Sequence, residues 1–126
     1  MKAVLDTSVL IATDIAELEG ELAISTASLA ELHFGVLVTT DATIRAERLR
    51  RLSELQQKFD ALPVDESVAI SYGLLAAALA SSGRQPRSRV MNLLIAATAH
   101  AHSARLYTRN ADDLAGLEHL IDVDAV

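Results

Sequence analysis

The N-terminal stretch MKAVLDTSVLIA, residues 1–12, carries the pattern that decides the fold. A short apolar run, Met1–Leu5, ends at Asp6, and a second apolar patch, Val9–Ala12, follows two hydroxyl residues. This order predicts a strand, a turn and a helix, and the polar segment Asp14–Glu21 is expected to continue that helix. In open α/β sheets the ligand site lies beyond the carboxyl ends of the strands, so the aspartate that ends the first strand is a candidate site residue.

The same alternation of short apolar runs and helical patterns continues through the chain. Further strands are predicted at Leu22–Ser25, Val64, Arg105–Thr108 and Ile121–Val126. Helices are predicted at Leu29–Val38, at 41–60 with Asp41 as its cap and Pro63 as its end, from Asp65 to the Ser81-Ser82-Gly83 stop, and at Val90–Ser103. A basic loop is expected at Gly83–Arg89, and a turn at Asn110–Leu117. This alternation indicates an α/β fold with a mostly parallel sheet covered by helices.

Length and composition narrow the class of protein. The chain has 126 residues, which fits one domain, and its 51% apolar share is enough for a single core. The net charge of −6 weighs against a plain nucleic-acid binding module, but bound cations reverse the field locally in an acidic metal enzyme. With no cysteine, disulfides and thiolate zinc sites are excluded. No leader-like or membrane-length apolar run is seen, so a soluble, cytoplasmic protein is expected.

Oxygen-bearing side chains cluster at the predicted ends of strands and starts of helices. Asp6 ends the first strand, while Asp112 and Asp113 follow the strand at 105–108. Glu31 lies in the first turn of one helix and Asn92 near the start of another. Such ligands suit a hard cation, Mg²⁺ or Mn²⁺, and disfavour zinc. The cation would polarise a phosphate and activate a water, which implies phosphodiester hydrolysis.

Each of these residues also has a purely structural interpretation, which the sequence leaves open. Asp6 is suited to cap the first helix, and Asn92 to cap a later one. Glu31, three residues after Ser28, fits a capping box. The acids at 112 and 113 stand in a turn, where aspartate is common because it bonds to its own backbone.

Basic residues point to a second part of the site. Arg84, Arg87 and Arg89 cluster in the loop that leads into the helix of Asn92, where guanidinium groups are expected to hold phosphate near the metal. His100 and His102 are two residues apart and would face different sides of a helix. They are therefore expected at the surface and not as a shared metal site.

Three segments, taken in order, resemble the PIN-domain family, and within it the VapC-type toxin ribonucleases of VapBC toxin–antitoxin systems. They are VLDTSVLI at 4–11, SLAELHFGV at 28–36 and NLLIAATAHAHSARLYTRNADDL at 92–114. The resemblance implies a three-layer α/β/α PIN domain over residues 1–126. It implies catalytic metal ligands at Asp6, Glu31, Asn92 and an aspartate after TRN, with Asp113 favoured over Asp112. Thr7, Ser8, Thr108 and Asn110 would then orient carboxylates or waters.

The resemblance also implies a function and partners. The activity would be that of a Mg²⁺- or Mn²⁺-dependent endoribonuclease toxin, usually a homodimer, silenced by a small VapB-like antitoxin. The apolar edges of the helices at 29–38 and 41–60 are compatible with a groove for that partner. One departure leaves alternatives open, because Asn92 stands where the family usually has aspartate. Beside the active ribonuclease, one alternative is a weakened or inactive PIN domain that binds or sequesters an antitoxin. The other is that Asn92 is a substitution that disarms a toxic nuclease.

Overall fold

The computed structural model describes residues 1–12 and 17–126. Within these residues the centre of the protein is a five-stranded sheet in which every neighbouring pair of strands is parallel. The strands are β1 (Lys2–Leu5), β2 (Glu21–Ser25), β3 (Asp60–Leu62), β4 (Arg105–Thr108) and β5 (Val123–Ala125). Their order across the sheet is β3-β2-β1-β4-β5, so the first strand lies in the middle.

Helices connect the strands and cover the sheet. They are α1 (Thr7–Leu10), α2 (Thr26–Val38), α3 (Ala42–Lys58), α4 (Glu66–Ser81) and α5 (Val90–Ala101). Two four-residue 3₁₀ turns, Pro86–Arg89 and Ala111–Leu114, precede α5 and follow β4. Because a crossover joins each pair of parallel strands, the carboxyl ends of all five strands meet at one edge of the sheet.

The core consists of two apolar clusters that share the strands of the sheet. Val4 belongs to the cluster with α4 and α5, whereas its neighbours Ala3 and Leu5 belong to the cluster with α1 and α3. Successive strand residues face opposite sides of a sheet, so this division places helices on both faces. Burial on both faces also explains why β1 is a continuous apolar run. The predicted three-layer α/β/α fold with a parallel sheet is confirmed.

Side-chain caps fix where three helices begin. Asp41 and Asp65 accept hydrogen bonds from amides in the first turns of α3 and α4, as predicted. The predicted start of α2 is wrong, because Ser25 caps it by accepting a bond from the Ala27 amide at 3.1 Å. Ser28 is therefore inside the helix and fully buried, so it does not form a capping box with Glu31.

The third strand differs from its prediction. Strand β3 lies at Asp60–Leu62, not at Val64, and pairs with Ala23–Ser25 of β2. Helix α3 ends at Lys58, so Pro63 follows a strand and does not end that helix. Proline has no amide hydrogen and therefore cannot extend the ladder beyond this short edge strand.

Two further expectations need correction. Residues 17–20 are not helical and Glu21 begins β2, so the predicted continuation of the first helix fails there. The rest of that prediction, at 14–16, lies outside the described residues. His100 and His102 are half-buried and not fully exposed, and His100 Nδ1 lies 2.8 Å from Ser71 Oγ. Within residues 1–12 and 17–126, no helix has the length and apolar character needed to cross a membrane.

Candidate metal centre

Asp6 lies at the carboxyl end of the central strand, and its carboxylate is held by two hydroxyl groups. The Asp6 amide donates to the Tyr107 carbonyl at 2.9 Å, which continues the pairing of β1 with β4. The Ser8 and Thr108 hydroxyls both donate to Asp6 Oδ2, at 2.7 and 2.8 Å. The side chain is only 7% exposed and, in the described part of the chain, accepts no amide from α1. Asp6 thus stands at the N-cap position of α1 through its backbone, but its side chain does not cap the helix and is directed to the two hydroxyls instead.

The two hydroxyls are themselves fixed by the loop after β4. The Arg109 amide donates to Ser8 Oγ and the Asn110 amide to Thr108 Oγ1, each at 3.0 Å. Each hydroxyl gives its single proton to the carboxylate and accepts an amide in return. Thr108 is 1% exposed, so these bonds form in a medium where they are strong. Asp6 is thus oriented before any ligand arrives.

Asp6, Asn92 and Asp113 come together at one small cleft. Asp113 lies in the 3₁₀ turn after β4, and Asn92 lies in the first turn of α5. The Asn92 Nδ2 group donates to Asp113 Oδ2 at 3.4 Å. The cleft has a volume of about 10 Å³, roughly the room that one water molecule needs. The rest of its lining is formed by Leu106, Thr108, Asn110 and Leu114. The N-cap of α5 is Arg89, so Asn92 is not the cap that the sequence left open.

The two neighbouring acids of the turn face different surroundings. Asp113 is half-buried and lines the cleft, whereas the Asp112 side chain is exposed and does not line it. The backbone carbonyl of Asp112 instead accepts a hydrogen bond from Arg84. Asp113, which the family resemblance favours over Asp112, is therefore the acid that lies beside Asp6 and Asn92.

Glu31 does not line this cleft, and its link to it is through Thr7, the residue after Asp6. Thr7 Oγ1 lies 2.7 Å from Glu31 Oε1 and 3.0 Å from Ser28 Oγ, so the residue after Asp6 ties α1 to α2. Glu31 lines a separate groove of about 590 Å³ between α1, α2 and α3. In the residues that the structure describes, no three carboxylate or histidine side chains gather into a complete metal site.

The donors at the cleft fit a hard divalent cation. Two carboxylates, Asp6 and Asp113, line it together with the amides of Asn92 and Asn110, and all four side chains can offer oxygen. Mg²⁺ typically takes one or two carboxylates and keeps several waters, so it does not need a full cage of protein ligands. A half-turn of the Asn92 amide would present its oxygen in place of the nitrogen that now donates to Asp113.

The basic loop has one contact that the sequence did not predict. Arg84 Nη1 donates to the Asp112 carbonyl at 3.1 Å and to the Ala115 carbonyl at 3.0 Å. Arg87 is exposed and Arg89 half-buried in the 3₁₀ turn that leads into α5. The role of Ser28 was also missed, although its position one helical turn before Glu31 is a usable signal for a shared face.

Comparison with known proteins identifies the family of the chain. The PIN domain family matches residues 3–119. Ribonuclease VapC5 of Mycobacterium tuberculosis is 38% identical, and the match covers 98% of this chain and 93% of that protein. Ribonuclease VapC8 of the same species is 37% identical, and that match covers 75% of this chain and 88% of that protein. The crystal structure of VapBC-5 from M. tuberculosis, a member of the VapBC family of toxin-antitoxin systems, matches with a TM-score of 0.84 and 37% identity, covering 99% of this chain and 97% of that chain. With its strand order, its acidic cleft and these matches over nearly its whole length, the chain belongs to the PIN domain family, among the VapC ribonucleases.

Proposed function

We propose that residues 1–126 form one PIN domain that acts as a divalent-metal-dependent endoribonuclease, the toxin of a toxin–antitoxin pair. The observation that carries this proposal is the cleft where Asp6, Asn92 and Asp113 meet at the carboxyl edge of the sheet. The ribonuclease name of a relative that is 38% identical over 98% of the chain supports the reaction. That name also favours the enzyme over the alternative of an inactive binding domain.

Mg²⁺ or Mn²⁺ would be held by Asp6, Asp113 and the Asn92 amide oxygen. When bound, the ion supplies a Lewis acid for the scissile phosphate and lowers the pKa of a water. Ser8 and Thr108 keep the Asp6 carboxylate oriented through their bonds to Oδ2. Since both hydroxyls are already fixed by backbone amides, this orientation costs no rearrangement when the ion arrives.

Glu31 supplies a third acidic group beside the cleft. Thr7, the residue after Asp6, forms a hydrogen bond with Glu31 through its hydroxyl. The same hydroxyl lies within hydrogen-bond distance of the buried Ser28 hydroxyl. Because Mg²⁺ retains several waters, a carboxylate at this position is suited to accept a hydrogen bond from one of them. Its assigned role is to orient water at the reacting phosphate.

The basic loop at 83–89 is assigned the role of binding RNA phosphate. Arg87 and Arg89 lie in the turn that leads directly into the helix of Asn92, so their charges stand on the approach to the cleft. A net charge of −6 makes such a local basic segment necessary for holding a polyanion. Arg84 belongs to the same loop, but its Nη1 donates to two backbone carbonyls.

A small VapB-like antitoxin is assigned to the α2 and α3 surface. Large apolar side chains are exposed on these two helices; they are Phe34, Leu37, Val38, Ile44 and Leu49. Exposed apolar side chains on a helical surface are what a partner helix or extended peptide packs against. The related VapBC-5 structure is that of a toxin–antitoxin system, which supports the pairing. We place the toxin in the cytoplasm as a homodimer.

Cleavage of an RNA panel as a function of metal concentration tests the proposal. The chain is expected to cut RNA with Mn²⁺ or Mg²⁺, to stop when EDTA is added, and to lose activity in the Asp113→Asn variant. Equal cleavage with and without EDTA would contradict the metal mechanism. Tight Mn²⁺ binding with no cleavage of any RNA would favour the binding protein instead.

A further inference from the structure

One guanidinium group joins the two ends of the turn that carries Asp113. Arg84 Nη1 donates to the carbonyl of Asp112 at 3.1 Å and to that of Ala115 at 3.0 Å. These carbonyls lie on either side of Asp113 and Leu114, so a single nitrogen spans the segment. Arg84 precedes Asp112 by 28 positions and Ala115 by 31 positions in the chain. The contact therefore links the loop after α4 to the loop after β4.

The Leu114 side chain anchors this turn in the core, but the backbone of the turn has few hydrogen bonds of its own. Residues Ala111–Leu114 form a single four-residue 3₁₀ turn, closed by the Asp113 amide on the Asn110 carbonyl at 3.0 Å and the Ala115 amide on the Asp112 carbonyl at 3.2 Å. Short 3₁₀ turns have poor hydrogen-bond geometry. The carbonyls at the end of any helix also lack partners within it, and a cationic side chain is a favourable donor there.

Arg84 is itself attached to the core. Its amide donates to the carbonyl of Leu79, a fully buried residue of α4, at 3.2 Å. A second approach joins the same two loops, because a Cβ on Gly116 would stand 3.6 Å from Ser82 Oγ. Gly116 has a φ of +97°, a conformation that strains other residues. The end of α4 is therefore a fixed base against which the turn is held.

We propose that Arg84 is a positioning residue for Asp113. By fixing both ends of the turn it sets where the Asp113 carboxylate stands relative to Asp6 and Asn92, and so it acts on metal binding. This inference rests on the proposed metal site. It separates Arg84 from Arg87 and Arg89, which keep the role of contacting RNA phosphate.

Mn²⁺ calorimetry and RNA kinetics on matched variants test this role. Arg84→Ala is expected to weaken Mn²⁺ binding about tenfold, the lower end of the usual effect of removing a group that orients a ligand. Arg84→Lys should recover part of the affinity, because an ammonium also donates to carbonyls. Arg87→Ala should raise KM for RNA and leave Mn²⁺ affinity unchanged. Arg45→Ala is the control, because it removes a similar arginine contact, to the Thr39 carbonyl at 2.6 Å, on another part of the surface.

Amide hydrogen exchange of the metal-free protein gives a readout that does not depend on the ion. Arg84→Ala is expected to speed exchange at the Asp113 and Ala115 amides, whereas Arg87→Ala is not. Unchanged exchange and unchanged Mn²⁺ affinity, with KM raised as in Arg87→Ala, would overturn the proposal and make Arg84 an RNA contact. If the original chain binds no Mn²⁺, the proposed metal site fails. The exchange rates then decide the role of Arg84 on their own.

Discussion

Replacing Asn92 by aspartate should have opposite effects on the metal-free and the metal-bound protein. Asn92 Nδ2 now donates to Asp113 Oδ2 at 3.4 Å. In Asn92→Asp this hydrogen bond is replaced by two like charges at a similar distance. Their repulsion is about 1 kcal/mol in a water-like medium and about 5 kcal/mol at an effective dielectric of 20. The half-buried site lies between these limits, so the metal-free variant should unfold more easily than the original chain.

A divalent cation reverses the sign of this effect. It neutralises the repulsion, and the added carboxylate attracts the ion more strongly than a neutral amide does. Recovering about 1.4 kcal/mol of that repulsion is enough to tighten Mn²⁺ binding about tenfold. Thermal unfolding with and without Mn²⁺, calorimetry, and the Mn²⁺ midpoint of RNA cleavage measure these changes.

The neighbouring acid offers a matched control for this experiment. Asp112→Asn removes one negative charge at the residue next to Asp113. The Asp112 side chain is exposed and does not line the cleft. This variant should leave the Mn²⁺ midpoint unchanged. If Asn92→Asp alters neither the metal-free melting temperature nor the Mn²⁺ midpoint, residue 92 does not stand beside the ion and the reasoning is refuted.

Three further changes test other parts of the structure. Thr108→Val removes one donor to the buried Asp6 carboxylate, so urea unfolding should show a loss of about 1–3 kcal/mol, and an unchanged stability would contradict the assigned bond. Leu37→Glu, at a side chain 73% exposed on α2, should leave stability within about 0.5 kcal/mol but weaken binding of the cognate antitoxin in calorimetry; undiminished binding would move the antitoxin to another surface. Hydrogen bonds from the Ser67 hydroxyl, and next from a helix amide, hold the pKa of Asp65 below its ordinary value of 3.8. This stabilisation is present above about pH 4 and is lost as the pH falls through the folded-state pKa, so Asp65→Asn should lose less stability in acid melting curves than the original chain.

The sheet was largely predictable because its strands are buried on both faces. Residues Ala3–Leu5 and Leu106–Tyr107 are apolar whichever face they meet, and such runs show clearly in a sequence. Strand β3 was missed because Asp60–Leu62 is a short edge strand with a polar residue and no periodic pattern. It is a strand through its pairing with β2, a contact between distant parts of the chain.

Local patterns misled the sequence analysis where tertiary contacts override them. Ser28 and Glu31 have the spacing of a capping box, but Ser25 at the end of β2 already caps α2. The placement of Asp6 and Asp113 at one cleft followed from the rule that strand ends meet at one edge. The contact from Arg84 to the turn of Asp113 could not be predicted, since nothing in a basic loop signals which carbonyls it will reach.

Mn²⁺ binding by Asp6→Asn, measured by calorimetry beside the original chain, tests the metal site most directly. The amide oxygen of asparagine can still accept a hydroxyl, so the metal-free stability should change by less than about 1.5 kcal/mol, the upper net value of a single hydrogen bond. Removing a carboxylate from the cleft is expected to weaken Mn²⁺ binding at least about tenfold and to abolish RNA cleavage at the same metal concentration. A variant that binds Mn²⁺ as tightly as the original chain and cuts RNA as fast would show that the cleft of Asp6, Asn92 and Asp113 is not the catalytic centre.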